Sequence, residues 1–148
     1  MADIRMTNCH VHTFTDAHVP ELFPHPAAWP LRRIPGLARG VRVALALAGQ
    51  ERLAESVERL IRFRQTGAAG SQRRILAEIA RQYPQDTRFV VLPMDMAHGG
   101  WGAPAQPLSA QHDELAALAA ESGGRVLPFA TVDPRSDDSV AEARRAIE

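Results

Sequence analysis

An α/β fold with a parallel sheet is what this sequence predicts, and three observations lead there. Short apolar runs at residues 4–11, 88–94 and 125–132 have strand length, and the last two are apolar almost without interruption, as in strands covered on both faces. Stretches with helical apolar period lie between and after them, and strands alternating with helices form parallel sheets with right-handed crossovers. The later runs also echo each other: Val91-Leu-Pro-Met-Asp95 against Val126-Leu-Pro-Phe-Ala-Thr-Val-Asp133.

In order, residues 1–11 read as a first strand that ends in Asn8-Cys9-His10-Val11-His12. Residues 13–38 follow as a long irregular loop. Its Pro20, Pro24, Pro26, Pro30 and Pro35 exclude continuous helix, and a loop of that length in a compact domain is usually functional. Residues 39–64 read as largely helical, with Leu53, Val57, Leu60 and Ile61 on one stripe and Glu55–Arg59 and Glu58–Arg62 as i,i+4 pairs on the wet side. Gly67-Ala-Ala-Gly70 breaks that pattern. Ser71 caps the next helix, whose apolar face is Ile75, Leu76, Ile79 and Tyr83. After the strand at 88–94, a loop rich in Gly, Pro and Trp leads to a helix that Ser109 caps and Gly123-Gly124 ends. After the strand at 125–132, Ser139-x-x-Glu142 forms a capping-box pattern for a last helix with Val140, Ala143 and Ile147 inward. Each later strand contains a proline, which is tolerable near a strand's end.

The 148 residues suffice for one domain, and 45% apolar with 23% charged residues is globular composition rather than disorder. Seventeen basic residues balance seventeen acidic ones, so there is no electrostatic footprint for nucleic acid or an anionic membrane. Every basic residue is arginine, which removes Schiff-base and lysine general-base chemistry. The longest apolar run, residues 43–49, is too short to span a bilayer. A single cysteine and no visible signal peptide lead to the expectation of a reducing cytoplasm.

The chemistry gathers at the first strand. Side chains alternate along a strand, so Asn8, His10 and His12 are expected on one face, with Thr7, Cys9 and Val11 on the other. Two neutral imidazoles converging from one strand can hold one side of a divalent metal. Cys9 is expected to be a small buried residue rather than a nucleophile. Asp95 and Asp133 stand at the C-terminal ends of the later strands, where parallel α/β folds collect their active groups. Both, with His98, are candidate substrate contacts, although aspartate before Pro134 also suits turn chemistry. His18, His25 and His112 read first as surface or loop residues. Trp29 and Trp101 lie on long loops, where they would wall a pocket or cover one end of the sheet.

Together, Asn-x-His-x-His on the first strand, Phe89-Val-Val-Leu-Pro-Met-Asp-Met96 and Leu127-Pro-Phe-Ala-Thr-Val-Asp-Pro-Arg135 resemble the amidohydrolase superfamily, closest to its amidohydrolase-2 branch of metal-dependent hydrolases and non-oxidative decarboxylases. The resemblance implies a TIM-type (β/α)8 barrel, with residues 1–148 as the N-terminal portion of a single barrel domain: about three parallel strands with their helices, apparently truncated. Among the family's ligand positions only His10 and His12 have counterparts. Asn8 stands where many members carry aspartate.

The implied function is hydrolysis of a C–N or C–O bond in a small molecule by metal-activated water, with a divalent ion, zinc foremost, on His10 and His12 and a site incomplete in this chain. A non-oxidative decarboxylase of the same family is the first alternative. A histidinol-phosphatase-like phosphoesterase is another, from the similar opening motif His10-x-His-Thr-x-Thr-Asp16. A third is an inactive fragment needing a complementing chain, since missing strands would leave open sheet edges and favour self-association.

Overall fold

The computed structural model describes residues 6–148. The first five residues of the expected opening strand lie outside them. Three parallel strands form one sheet in the order β1 (Thr7–Val11), β2 (Arg88–Val91), β3 (Val126–Pro128). Six α-helices accompany them: α1 (Trp29–Arg33), α2 (Leu37–Leu47), α3 (Glu51–Gly67), α4 (Gln72–Ala80), α5 (Leu108–Glu121) and α6 (Ser139–Ile147). The class is therefore α/β with a parallel sheet, as the apolar runs predict.

The central strand, β2, is the most deeply buried. Phe89 and Val91 are packed by Val11, Leu76, Leu115, Leu118 and Val126 into one core, with Ile79 and Tyr83 against its edge. The strands are shorter than the apolar runs because their prolines end them. β3 closes on Pro128, and β2 stops at Val91, two residues before Pro93. Proline has no N–H to give a ladder, so the stretches holding Asp95 and Asp133 leave the sheet and become loops beyond its C-terminal edge.

Several local expectations change for identifiable reasons. Residues 39–64 are not one helix. Gly49, at φ +72°, ends α2: Gln50 N–H donates to the Leu45 carbonyl and Gly49 N–H to that of Ala46. That pairing is a Schellman stop, for which glycine is favoured because the position is left-handed. Leu53 is 53% exposed, and Ala54 is buried in its place. Arg62 does pair with Glu58 at 3.2 Å, but Arg59 turns to Ser56 instead of Glu55. The long loop is more ordered than expected, with 3₁₀ turns at Asp16–His18 and Pro26–Ala28 running into α1, where Pro30 sits harmlessly in the first turn.

Ser71 caps α4 as expected, accepting from the Arg74 N–H. Ser109, however, lies inside α5, which starts at Leu108 behind Pro107. Asp138, not Ser139, occupies the N-cap of α6, and the capping box does not form, because Glu142 is drawn to His112 and Arg145. Val140 and Ile147 are 64% and 78% exposed rather than inward. Polar contacts, not an apolar face, hold α6 to α5: Arg145 also bonds Asp113 at 2.6 Å.

One close approach locks the loop onto α3. A Cβ on Gly67 would stand 2.6 Å from the Asp16 carboxylate and 3.0 Å from its backbone nitrogen. Gly67→Ala is therefore expected to destabilise the fold by about 1–3 kcal/mol, the usual cost of overpacking, read as a lowered urea midpoint at unchanged slope. An unshifted midpoint would show that the loop yields.

Candidate metal and substrate site

The site begins with an irregularity in β1. Asn8 lies opposite Phe89 and Val11 opposite Val91, so three steps along β1 match two along β2. The extra residue is a bulge at Cys9–His10. Phe89 and Val91 share one face, and the bulge therefore puts Asn8 on the core side with Val11 rather than with the histidines. There Asn8 donates to the Tyr83 hydroxyl at 2.9 Å, while its carbonyl oxygen accepts the His10 N–H at 3.1 Å. The expected shared face of Asn8, His10 and His12 is thus divided, and Asn8 orients the bulge. Cys9 is exposed rather than buried, because it sits in the bulge on an edge strand.

His10 and His12 do come together. Their Nε2 atoms are 2.9 Å apart and their rings meet edge to face at 4.7 Å between centroids. His12 Nδ1 lies 2.9 Å from the Leu92 carbonyl oxygen, at the end of β2. A carbonyl only accepts, so a neutral His12 carries its proton on Nδ1 and presents a lone pair at Nε2. That carbonyl contact is the usual partner of a metal-ligating histidine, since it fixes both tautomer and ring plane. With His12 Nε2 accepting, the contact between the rings requires the His10 proton on Nε2, and a shift of that proton to Nδ1 gives two convergent lone pairs. Metal–nitrogen bonds of about 2.0–2.1 Å close readily over such a separation. The pair fits a divalent ion but supplies only two ligands, and among the described residues no group of three or more His, Cys, Asp or Glu side chains converges to hold one.

A buried polar chain fixes the strand end behind His12. The Leu92 N–H donates to the Val11 carbonyl at 2.8 Å. Thr13 donates to Gln72 Oε1 at 2.8 Å, Gln72 Nε2 donates to the Gln111 carbonyl at 2.9 Å, and all three residues are at most 1% exposed. Sequence reasoning missed Gln72 and Gln111. Their signal was helical register, because Gln111 precedes Leu115 and Leu118 on the core face of α5, and Gln72 precedes Ile75 and Leu76 on that of α4.

Beside His12 stands a row of aromatic rings. Phe14 is 6.4 Å from His12, Phe63 5.0 Å from Phe14, Phe23 5.5 Å from Phe63, and Trp101 lies edge-on to Phe23 at 5.0 Å. Trp101 therefore belongs to this wall, whereas Trp29 is 40% exposed and donates to Glu21.

The other predicted residues meet at a second place. Asp95 and His98 line a cavity of about 370 Å³ between the loops that follow β2 and β3, with Ser109, Ser139 and Glu142 across it. Asp133 adjoins it: its N–H donates to Asp95 Oδ2 at 3.3 Å, and the other Asp95 oxygen accepts the Ala97 N–H at 3.2 Å. The Arg135 side chain and backbone N–H both donate to Asp133 and hold its carboxyl well below the usual carboxylate range. It stays ionised near neutrality and cannot exchange a proton there. No hydrogen bond among the described residues joins this cluster to His10 or His12.

Two histidines read as surface residues are buried instead. His112 is 7% exposed; its Nδ1 contacts Glu142 at 2.5 Å and its Nε2 accepts the Thr131 N–H at 3.3 Å, joining α5, α6 and the β3 loop. Arg145 first, and then His112, lower the Glu142 pKa to about 2. His25 stays exposed, its Nδ1 accepting the Ala27 N–H at a helix cap.

His18 is fully buried, its Nδ1 accepting the Thr15 N–H and its Nε2 2.9 Å from Gln106 Oε1 across the two loops. Burial lowers its pKa from the ordinary 6.5, against the raising effect of the Gln106 contact. The unfolded chain therefore binds the proton first as pH falls, and stability is complete above about 6.5 and declines below it. The carboxylates Asp133 and Glu142 act only at lower pH, below about 4.5. Melting temperature is expected to fall between pH 7.5 and 5.5, and to fall less in His18→Asn. Equal slopes in the two proteins would remove His18 as the cause.

Neither protein-family models, curated proteins nor solved structures yield a match to this chain. No helix among the described residues is long and apolar enough to cross a membrane.

Proposed function

We propose that this chain carries the first-strand half of a metal-dependent hydrolase site of the amidohydrolase type, within part of a (β/α)8 barrel. The observation that carries the reading is the convergence of His10 and His12 Nε2 at 2.9 Å, with His12 oriented by the Leu92 carbonyl at the C-terminal edge of a parallel sheet. A divalent ion held there, zinc foremost, supplies the Lewis acidity that activates water and polarises the scissile carbonyl of a small amide or ester.

The chain's own residues then have distinct tasks. Leu92 keeps the His12 lone pair on Nε2, Asn8 holds the bulge that aims His10, and the aromatic row from Phe14 to Trp101 excludes water on one side. Asp95 and Asp133 shape the loops beyond β2 and β3, leaving His98 on the cavity wall as the side chain to meet a substrate's polar end. Catalytic zinc uses three protein ligands and an open position, so further ligands must come from residues other than these two.

The aromatic row favours a second reading, the family's non-oxidative decarboxylases, because a flat ring would stack beside His12. Zinc-dependent turnover separates the possibilities, assayed on the chain alone and with any partner that copurifies. Release of the amine or alcohol from amides and lactones supports hydrolysis. Carbon dioxide from carboxylated aromatic acids without hydrolysis supports decarboxylation, and phosphate from a model ester would move the reading to a phosphoesterase. Turnover unaffected by His10→Ala and His12→Ala would end all three. The chain alone is expected to be inactive.

A further inference from the structure

We infer that a slot between α1, α2 and α3, remote in sequence from both histidines, binds a small anionic amphiphile: an apolar body of about ten carbons with a carboxylate head. The slot encloses about 340 Å³, within the range of small-ligand sites. Leu31, Ile34, Leu60 and Ile61 give it an apolar floor. Arg39 from the start of α2 and Arg64 from the end of α3 line it too, and among the described residues no acidic side chain does.

Charge argues for the occupant. Seven arginines of this chain are committed to carboxylates: Arg33 to Glu21, Arg42 and Arg62 to Glu58, Arg73 to Glu121, Arg81 to Glu78, Arg135 to Asp133 and Arg145 to Glu142. Among the described residues neither Arg39 nor Arg64 takes part in an ion pair. Arg64 also borders the adjoining groove, where Arg32 stands close enough to feel its charge. Of the carboxylates of that groove, Glu21 is held by Arg33 and Trp29, while Asp16 acts on Arg32 and, among the described residues, makes no ion pair with Arg64. A slot with an apolar floor and uncompensated guanidinium groups on a chain of zero net charge is complementary to an anion carried on a hydrocarbon.

The neutral case is less well served. Ile34 is half exposed, so an uncharged hydrocarbon gains incomplete burial, and the head group has to supply the difference. Guanidinium groups give a carboxylate paired N–H donors, which lysine or a lone helix end would not.

The test is isothermal titration of the full chain with decanoate, well below its micelle concentration, beside decanol. One decanoate per chain is expected, with a dissociation constant on the order of 10–100 µM for a ligand of that size. Arg64→Gln and Arg39→Gln should each weaken it about ten-fold, the usual worth of one charge-assisted contact. Circular dichroism melts should be unchanged, since both side chains reach the surface. His10→Ala should leave binding as it was, which keeps this result separate from the metal reading. Decanol bound as tightly as decanoate, or decanoate bound equally by the arginine variants, would overturn the proposal. So would no saturable binding of decanoate, or binding to phosphatidylglycerol vesicles in its place.

Discussion

Replacing His12 by alanine is expected to abolish zinc binding, weakening it by more than about 100-fold, and His10→Ala is expected to do the same. Among the described residues two imidazoles form the whole donor set at this place, and one imidazole alone competes poorly with water. The intact pair is expected to bind one zinc with a dissociation constant of roughly micromolar order, because two neutral ligands leave most of the ion's coordination to solvent. Affinity should fall in acid, as protonated imidazole has no lone pair. His25→Ala is the control, being an exposed histidine at a helix cap. Equilibrium dialysis with metal analysis reads all four proteins. Zinc held equally by both variants would remove the metal centre from β1. Sub-micromolar affinity in the intact chain would mean that further ligands are already present and the site is complete.

Phe89→Ala is expected to cost about 3–5 kcal/mol, the usual range for deleting a buried aromatic. Phe89 is 1% exposed on the central strand, in contact with the helix layer, and Tyr83 meets its ring edge-on at 5.5 Å. It therefore joins both edge strands to α4 and α5, and loss of its ring leaves a cavity that the surrounding strand backbones cannot close. Against a total stability of about 5–15 kcal/mol, that loss leaves a substantial unfolded population. Leu47→Ala, at a side chain 85% exposed, is the contrast and should change stability by less than about 0.5 kcal/mol. Urea unfolding followed by far-ultraviolet circular dichroism compares the two. A Phe89→Ala midpoint near that of Leu47→Ala would mean the core does not centre on β2.

Much of the architecture was legible because the strands and helices differ in apolar period. Leu76, Phe89, Val91, Leu115, Leu118 and Val126 all reach the core from runs whose pattern predicts it. The last helix was not legible. Val140 and Ile147 have the right spacing for an inward face, but α6 is positioned by Glu142, Arg145 and their partners on α5, and a polar tether leaves no periodic trace. The halt at Gly49 was present as a residue type yet outweighed by the helical pattern on either side. Burial of His18 and His112 was hidden for a different reason. A histidine in a loop reads as polar until its ring nitrogens find buried partners, and those partners lie 88 residues away at Gln106 and 30 away at Glu142.

The residues alone determined that apolar runs would form parallel strands and that His10 and His12 would lie at the C-terminal end of the first; the prolines, read as tolerable near the ends of the later strands, instead cut those strands short. Only the tertiary structure decided where Asn8 points. The side chains before and after His10 depend on the register between β1 and β2, and one extra residue there sends Asn8 to Tyr83 while the two imidazoles converge. It also decided which nitrogen of His12 is available, because the carbonyl that fixes it belongs to Leu92, 80 residues further on. Such choices depend on partners brought together by pairing and packing, and neither local propensity nor periodicity contains them.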